Sequence, residues 1–365
     1  MTYANIKVLI VADWYGEIYA QAFYDSFKSL NYETYKFPWK EYFHHYQYAS
    51  TYATDGNRLK ALYYRLQNNF LIGPAIRKIN CDLLKKCEHI RPDLTLIYRG
   101  THIYPDTIKK MKSLGCKVFG YNNDDPFSNN YRLIYFRLWS LYRRSIPHYD
   151  WIFSYRQANI EDYKAMGYHN VSLLRSYYIK EKNYPIPNAT KKYGVIFIGH
   201  FEDDTRDETV KYLLDNGINI KLFGTLWDKS KFYDYFRGKI GEIKPLYGDD
   251  YNHAINQAKI ALVFLSKLNN DTYTRRCFEI PATKTMMLAE YSEDQAENLF
   301  QEGKEAEYFR NKEDLLKKVT FYLNNEEKIV NIGNAGFKRL QENSHEVSDK
   351  VKEILKVFQI RKCLK

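Results

Sequence analysis

Residues Tyr193–Gly224 read YGVIFIGHFEDDTRDETVKYLLDNGINIKLFG. Val195–Ile198 is a short, apolar, β-branched run that stops at Gly199. Asp207–Asn216 carries helical spacing, and Ile218–Phe223 is a second apolar run that stops at Gly224. A strand, a helix and a strand within about 30 residues make a βαβ unit, which requires parallel strands.

The same alternation extends in both directions. Towards the N-terminus, Ile6–Ala12 reads as a buried strand broken by Asp13-Trp14-Tyr15-Gly16, and Tyr19–Leu30 follows as a helix. Residues 41–90 read mostly as helix, with breaks at Asp55-Gly56-Asn57 and Gly73-Pro74. Strands are expected at Leu94–Tyr98, Lys117–Tyr121, Trp151–Tyr155 and Val171–Leu174, with helices at Pro105–Leu114, Asn130–Ser145 and Ile160–Met166 between them. Towards the C-terminus, a helix at Tyr251–Gln257 leads into a strand at Ile260–Leu265. A helix starts at Arg276–Ala282, a strand follows at Met286–Ala289, and the remainder reads as helix over Glu313–Leu323, Glu326–Gln341 and Val347–Ile360. Alternating strands and helices predict an α/β fold, with mostly parallel sheets covered by helices on both faces. The 365 residues suffice for two such domains. The Pro- and Asn-containing stretch 183–192 divides them. The expected organisation is 1–182, a linker at 183–192, 193–345, and a C-terminal helix at 346–365.

Composition narrows the class. Charged residues at 27% and hydrophobic residues at 45% fit a globular chain. Five cysteines without a CxxC pair argue against a disulfide framework and a zinc site, so a reducing compartment is the expectation. No run approaches 18 apolar residues, and the N-terminal apolar run is confined to Val8–Ala12, too short for a signal peptide. The expected location is cytoplasmic. The net charge of +11 is uneven: residues 1–180 carry 25 Lys and Arg against 15 Asp and Glu, and residues 181–365 carry 30 against 29. A basic half beside a neutral half suggests an anionic partner for the first domain, either a membrane surface, a lipid-linked acceptor or nucleic acid. The 35 tyrosines fit sugar faces or wet interfaces, or simply coding bias.

The chemically richest stretch is Asp271-Thr272-Tyr273-Thr274-Arg275-Arg276-Cys277-Phe278-Glu279-Ile280-Pro281-Ala282. After it come Met287-Leu288-Ala289-Glu290, Gly303-Lys304-Glu305-Ala306 and Tyr308-Phe309. Over roughly 193–350 this pattern resembles the C-terminal domain of the CgeB-like glycosyltransferases, a branch of the GT-B group with an E-x7-E signature. The N-terminal half resembles them more loosely, through Tyr121-Asn122-Asn123-Asp124-Asp125-Pro126. The resemblance implies two Rossmann-like domains facing across a cleft, a C-terminal helix that crosses back to the first domain, and retention at the anomeric carbon. It also implies a nucleotide-sugar donor, linked to UDP, GDP or dTDP, as co-substrate, and no other cofactor. Glu279 then takes the ribose hydroxyls. Asp271 occupies the sugar-contacting position, where the family usually has Glu.

Arg276, three residues before Glu279, is placed to pair with the diphosphate and to stabilise the departing nucleotide. The alternative is a salt bridge with Glu279. Because ligands sit beyond the carboxyl ends of parallel strands, Gly199, His200 and Arg206 are further donor-site candidates, with Gly224, Thr225 and Trp227 lining a base pocket. Each has a plainer reading, as turn, solvated cation or core. In the first domain the same rule selects Asp13, Trp14, Tyr15, Gly16, Arg99, Thr101 and Asn123 for the acceptor. Asp124 or Asp125 would orient its hydroxyl or act as base, or else form a turn and helix cap. No DxD pair occurs, so no metal is expected. The segment Asn129–Ile146, with four Arg and no acid, and the basic stretch Arg58–Lys86 are candidates for peripheral contact with an anionic membrane. Acceptors, in order, are a lipid-linked or cell-surface glycan, a protein, and DNA. The rivals are a non-catalytic sugar-nucleotide-binding homologue and a sugar-nucleotide epimerase.

Overall fold

A computed structural model describes residues 6–14, 16–43, 58–128 and 138–363. The chain divides into two compact units, Met1–Arg175 with Val347–Lys365, and Ser176–Glu346.

Among the described residues the first unit has six parallel strands, β1 (Lys7–Ala12), β2 (Glu33–Pro38), β3 (Leu94–Tyr98), β4 (Lys117–Asn122), β5 (Trp151–Ser154) and β6 (Val171–Leu173), in the order β2-β1-β3-β4-β5-β6. Its helices are α1 (Ala20–Ser29), α2 (Arg58–Phe70), α3 (Pro74–Ile90), α4 (Pro105–Ser113), α5 (Ser140–Ser145) and α6 (Gln157–Ala165). The second unit has five parallel strands, β7 (Tyr193–Ile198), β8 (Ile220–Phe223), β9 (Ala258–Val263), β10 (Met286–Glu290) and β11 (Glu307–Phe309), in the order β11-β10-β9-β7-β8. Its helices are α7 (Arg206–Asp215), α8 (Tyr233–Ile240), α9 (Gly248–Asn256), α10 (Arg276–Ala282), α11 (Glu293–Asn298), α12 (Lys312–Leu323) and α13 (Glu326–Glu342). The C-terminal helix α14 (Val347–Cys363) belongs to the first unit, where it packs on α1.

Both sheets share one order, in which the first strand lies between the second and the third. The chain therefore winds outwards in both directions from the first strand. A crevice opens at the carboxyl ends of β1 and β3 in one sheet, and of β7 and β9 in the other.

The central strands form where expected because they are continuous β-branched and apolar runs buried on both faces. Helix ends follow local chemistry: Pro74 and Pro105 occupy first-turn positions. Gly115, Gly167 and Gly217 follow helices with positive φ. Four elements were not expected. β2 (ETYKFP) is a polar edge strand set only by its pairing with β1, and β11 is three residues long in a stretch given no element from the sequence. α8 and α11 are short. The helix expected at Asn130–Ser145 is described only from residue 138, as α5.

Many tyrosines are core residues. In the first unit Tyr142, Tyr149 and Tyr163 are fully buried, and the Tyr142 and Tyr163 hydroxyls lie 2.5 Å apart. Buried Cys87, Cys116 and Cys277 have thiols pushed up to about 12, chiefly by burial, which makes them poor nucleophiles.

The first core also contains a buried polar knot. His102 is fully buried and stacks on Trp39 at 3.8 Å. Its ring nitrogens bond Thr101 Oγ1 at 2.8 Å and Asn68 Oδ1 at 2.9 Å. Burial, reinforced by the nearby charge of Arg99, lowers its pKa to about 3. Between about pH 6.5 and 3 the unfolded chain binds a proton that the folded chain does not. Stability contributed by neutral His102 is therefore present above about pH 6.5 and falls by about 1.4 kcal/mol per unit as pH drops. Chemical denaturation of His102→Gln should show a pH slope shallower than wild type by about 1 kcal/mol per unit between pH 6 and 4. Equal slopes would show that the imidazole is not held neutral.

Candidate functional site

The most ordered cluster lies in the second unit, where α10 begins. Two consecutive arginines diverge there. Arg275 Nε donates to Glu279 Oε1 at 2.5 Å, one helical turn on, and its guanidinium stacks on Tyr177 at 4.5 Å. Arg276 Nε instead donates to the carbonyl of Ile198, the last residue of β7. Its two terminal nitrogens have no hydrogen-bond partner among the described residues, and the side chain is half-buried. Arg276 is thus clamped by one nitrogen to the mouth of β7 and keeps a two-nitrogen fork for an anion.

Glu279 is only 5% exposed. Its other oxygen accepts from the Tyr251 hydroxyl, at the start of α9, at 2.6 Å. Burial first, and then the charge of Glu279, push the Tyr251 phenol well above its usual range, so it remains a donor. A carboxylate offers about four acceptor directions. Two are used here, which fixes the group's orientation and leaves room for two more donors, as a ribose diol would supply. The alternative of an Arg276–Glu279 pair is replaced by Arg275–Glu279, because an i,i+4 pair shares the inner face of the helix.

Loops after β7 and β9 are joined by Glu202. Its carboxylate accepts from Ser266 Oγ at 2.9 Å and bonds His200 Nε2 at 2.8 Å. Burial alone would raise this carboxyl, but the His200 bond, the charge of Arg206 and the Ser266 hydroxyl outweigh it and hold it below its usual range. His200 itself is half exposed. The Asp271 main-chain N–H donates to Ser266 O at 3.0 Å, which brings Asp271, half-buried, to the same loop.

Several expected donor-site residues are engaged within the fold. Arg206 is 4% exposed and already engaged: it bonds Asp204 through two nitrogens at 2.8 and 2.6 Å, and His200 O at 2.8 Å. It ties the β7 loop to α7 and is not available as a phosphate ligand. Trp227 is 2% exposed, packs on Phe197 and Phe236, and donates to Gly199 O at 2.9 Å, so it is core and lines no base pocket. The Gly199 N–H donates to Phe223 O at 2.8 Å, so neither of its backbone groups can serve a phosphate. Gly199 and Gly224 are required for another reason. Gly224 has φ +145°, and a Cβ there would lie 1.9 Å from Gly199 O. Thr225 is exposed and accepts from Phe201 N–H at 2.9 Å.

In the first unit, Arg99 stands after β3 with φ +65° and reaches both neighbouring strands. Its Nε lies 2.9 Å from Asp124, after β4, and its Nη1 lies 3.6 Å from Asp13, after β1. Three of the expected acceptor-side residues therefore form one cluster at the sheet's crevice, two carboxylates around one guanidinium. Trp14 is half-buried with Nε1 donating to Gln21 at 2.9 Å, Gly16 is exposed, and Asn123 O accepts from Arg156 at 2.8 Å. Tyr15 lies outside the described residues. Thr101 is 1% exposed and bonded to His102, which removes it as an acceptor contact. Asp125 is 4% exposed and accepts from Phe127 N–H and Asn159, both at 2.9 Å. It holds a turn inside the fold, the plainer of its two expected readings.

Arg275, Tyr251, Glu202 and Ser266 were not anticipated. The i,i+4 spacing of Arg275 and Glu279 was available in the sequence. Tyr251, on another helix, leaves no local signal. A cavity of 410 Å³, lined by Lys112, Lys117, Asp150 and Arg361 among others, opens at the amino ends of β4–β6, away from the crevice. Among the described residues no group of three His, Cys, Asp or Glu is arranged to hold a metal ion.

The class defined by these features is the GT-B glycosyltransferase fold. Residues 206–356, less than half of the chain, match a family model described as glycosyl transferase-like. No curated protein matches by sequence. Among solved structures, the chain is similar to sucrose-phosphate synthase from Thermosynechococcus elongatus (TM-score 0.70, 9% identity, 99% of this chain and 100% of that one). It is also similar to HepE from Anabaena, solved with UDP-glucose (0.65, 10%, 97% and 100%). A putative UDP-N-acetylglucosamine 2-epimerase from Listeria monocytogenes is similar as well (0.57, 14%, 96% and 95%). At these identities the likeness is one of fold.

The Gly199–Gly224 contact makes a specific demand. Gly224→Ala should destabilise the protein by more than about 2 kcal/mol in denaturant titrations, because backbone must move. Gly217→Ala, with positive φ but open space around its Cβ, should cost only about 1 kcal/mol. Equal costs would mean that the two loops are not in contact.

Proposed function

We propose that the protein is a glycosyltransferase that takes its sugar from a nucleotide diphosphate, held on the second unit by Glu279 and Arg276. The observation that carries this is the divergence of the two arginines. One orients a buried carboxylate that keeps spare acceptor capacity; the other presents an anion-binding fork at the mouth of β7. In this reading Glu279 accepts the ribose hydroxyls and Arg276 neutralises charge developing on the β-phosphate as the glycosidic bond breaks. UDP is the favoured base, since HepE is solved with UDP-glucose; GDP and dTDP are the alternatives. Asp271 sits where the CgeB-like pattern has its sugar-contacting acid, and retention follows from that resemblance.

The Asp13–Arg99–Asp124 cluster brings two carboxylates to one guanidinium at the ends of β1, β3 and β4. In this reading the cluster meets a hydroxyl-bearing acceptor, with Asp124 the candidate to orient that hydroxyl or receive its proton. A lipid-linked or cell-surface glycan, met on the cytoplasmic side of a membrane, fits the basic first half of the chain. A metal ion has no assigned role, because Arg276 supplies the leaving-group cation.

UDP release from a panel of UDP-sugars, assayed with chelator present, tests this reading. Arg276→Ala should lower turnover by about 10²–10³-fold while changing donor affinity by less than about tenfold. Unchanged turnover in that variant would remove Arg276 from the chemistry. No release by wild type from any nucleotide-sugar would favour a non-catalytic binding protein.

A further inference from the structure

Helix α2 carries an apolar stripe on its exposed face as well as packing groups on its inner one. A surface helix ordinarily turns its apolar stripe inwards. Here the buried face carries Ala61, Gln67 and Asn68. Two of these are polar and engaged: Asn68 Oδ1 bonds His102 Nε2 at 2.9 Å, and Gln67 Oε1 accepts the Ala75 N–H at 2.7 Å. The outer face carries Leu59 (81% exposed), Leu62 (50%), Tyr63 (49%), Leu66 (47%) and Phe70 (46%). At 100° per residue these five side chains fall within an arc of about 100°. Ile72, 66% exposed, continues the patch beyond the helix.

The helix is held to its domain by Ala61, Tyr64, Gln67 and Asn68, and among the described residues its row of exposed leucines takes no part in that packing. Contiguous exposed apolar surface of this kind marks a contact. The charges around it specify the partner. Arg58 and Arg65 flank one side of the apolar arc and Lys60 the other, and α2 contains no acidic residue. Residues 1–180 carry ten more cationic than anionic side chains. An apolar stripe bordered on both sides by cations, with an aromatic residue at its edge, fits the boundary between acyl chains and anionic headgroups. A protein partner would have to match a stripe of leucines and a cationic rim together.

We propose that α2 is an interfacial membrane-binding helix, lying flat on an anionic lipid surface with Leu59, Leu62, Tyr63, Leu66 and Phe70 inserted and Arg58, Lys60 and Arg65 at the headgroups. The helix docks the first unit on a bilayer. This gives physical form to the membrane-side acceptor suggested above, yet it requires no nucleotide-sugar chemistry.

The test is flotation of the full chain with vesicles of phosphatidylcholine alone or with a quarter phosphatidylglycerol. Wild type should bind the anionic vesicles at least about tenfold more tightly than the neutral ones, and high salt should narrow that gap. Leu62→Glu with Leu66→Glu should abolish binding. Both positions are solvent-exposed, so the circular dichroism spectrum and Tm of this variant should match wild type. Arg58→Gln with Lys60→Gln and Arg65→Gln should remove the preference for anionic lipid, whereas Lys85→Gln, on α3, should change nothing. A folded wild type that ignores anionic vesicles overturns the proposal, as does a double variant that still binds. Wild type that dimerises in sedimentation equilibrium, with the double variant monomeric, would overturn it in favour of contact between two copies. Each readout is independent of donor binding, so failure here and failure of the glycosyl-transfer reading are told apart.

Discussion

The candidate donor site depends on the ion pair between Arg275 and Glu279. Glu279 is buried, and a buried carboxylate is tolerated only when its charge is matched and its oxygens are bonded. Arg275 does this from one turn away, and Tyr251 completes it from a helix 28 residues earlier in the chain. With Arg275 committed inwards, Arg276 is free to turn towards β7, where the Ile198 carbonyl fixes it. Reversing the two arginines would leave the carboxylate unheld. The short helix α10, interrupted by Pro281, is therefore a mounting for two side chains with opposite duties.

Around this mounting, the residues that hold the loops are distinct from those free to meet a ligand. Arg206, Trp227 and both backbone groups of Gly199 bind the β7 and β8 loops to each other and to α7. Glu202 and Ser266 join the β7 loop to the β9 loop. A preorganised site needs such a supporting shell, because a loop that shifts by 1 Å loses most of its electrostatic advantage. The first unit solves the same problem with one residue: Arg99, just after the strand between β1 and β4, gathers Asp13 and Asp124.

The sequence made the central strands and the two runs of alternating strand and helix legible, because both follow from local patterns. Val195–Ile198, Leu94–Tyr98 and Arg276–Ala282 needed no tertiary information. β2 did need it: its polar residues and Pro38 are acceptable only on an edge paired with β1. Polar residues were harder to place than strands. Asp124 and Asp125 are adjacent and chemically identical, yet one faces Arg99 and the other caps a buried turn. Nothing local separates them. Likewise, Trp227 and Arg206 follow strand ends as ligand residues do, and only their burial reveals that they belong to the scaffold. The exposed apolar stripe of α2 was hidden for the converse reason. Its periodicity identifies an amphipathic helix but not which face meets the core.

The central claim is that Glu279 anchors a nucleotide on the second unit without a metal, and calorimetric titration of UDP, with chelator present, tests it most directly. Wild type should bind, and Glu279→Ala should bind at least about tenfold more weakly, a loss of about 1.4 kcal/mol. Equal affinity in the two proteins, or binding that appears only when a divalent metal is restored, would contradict the account.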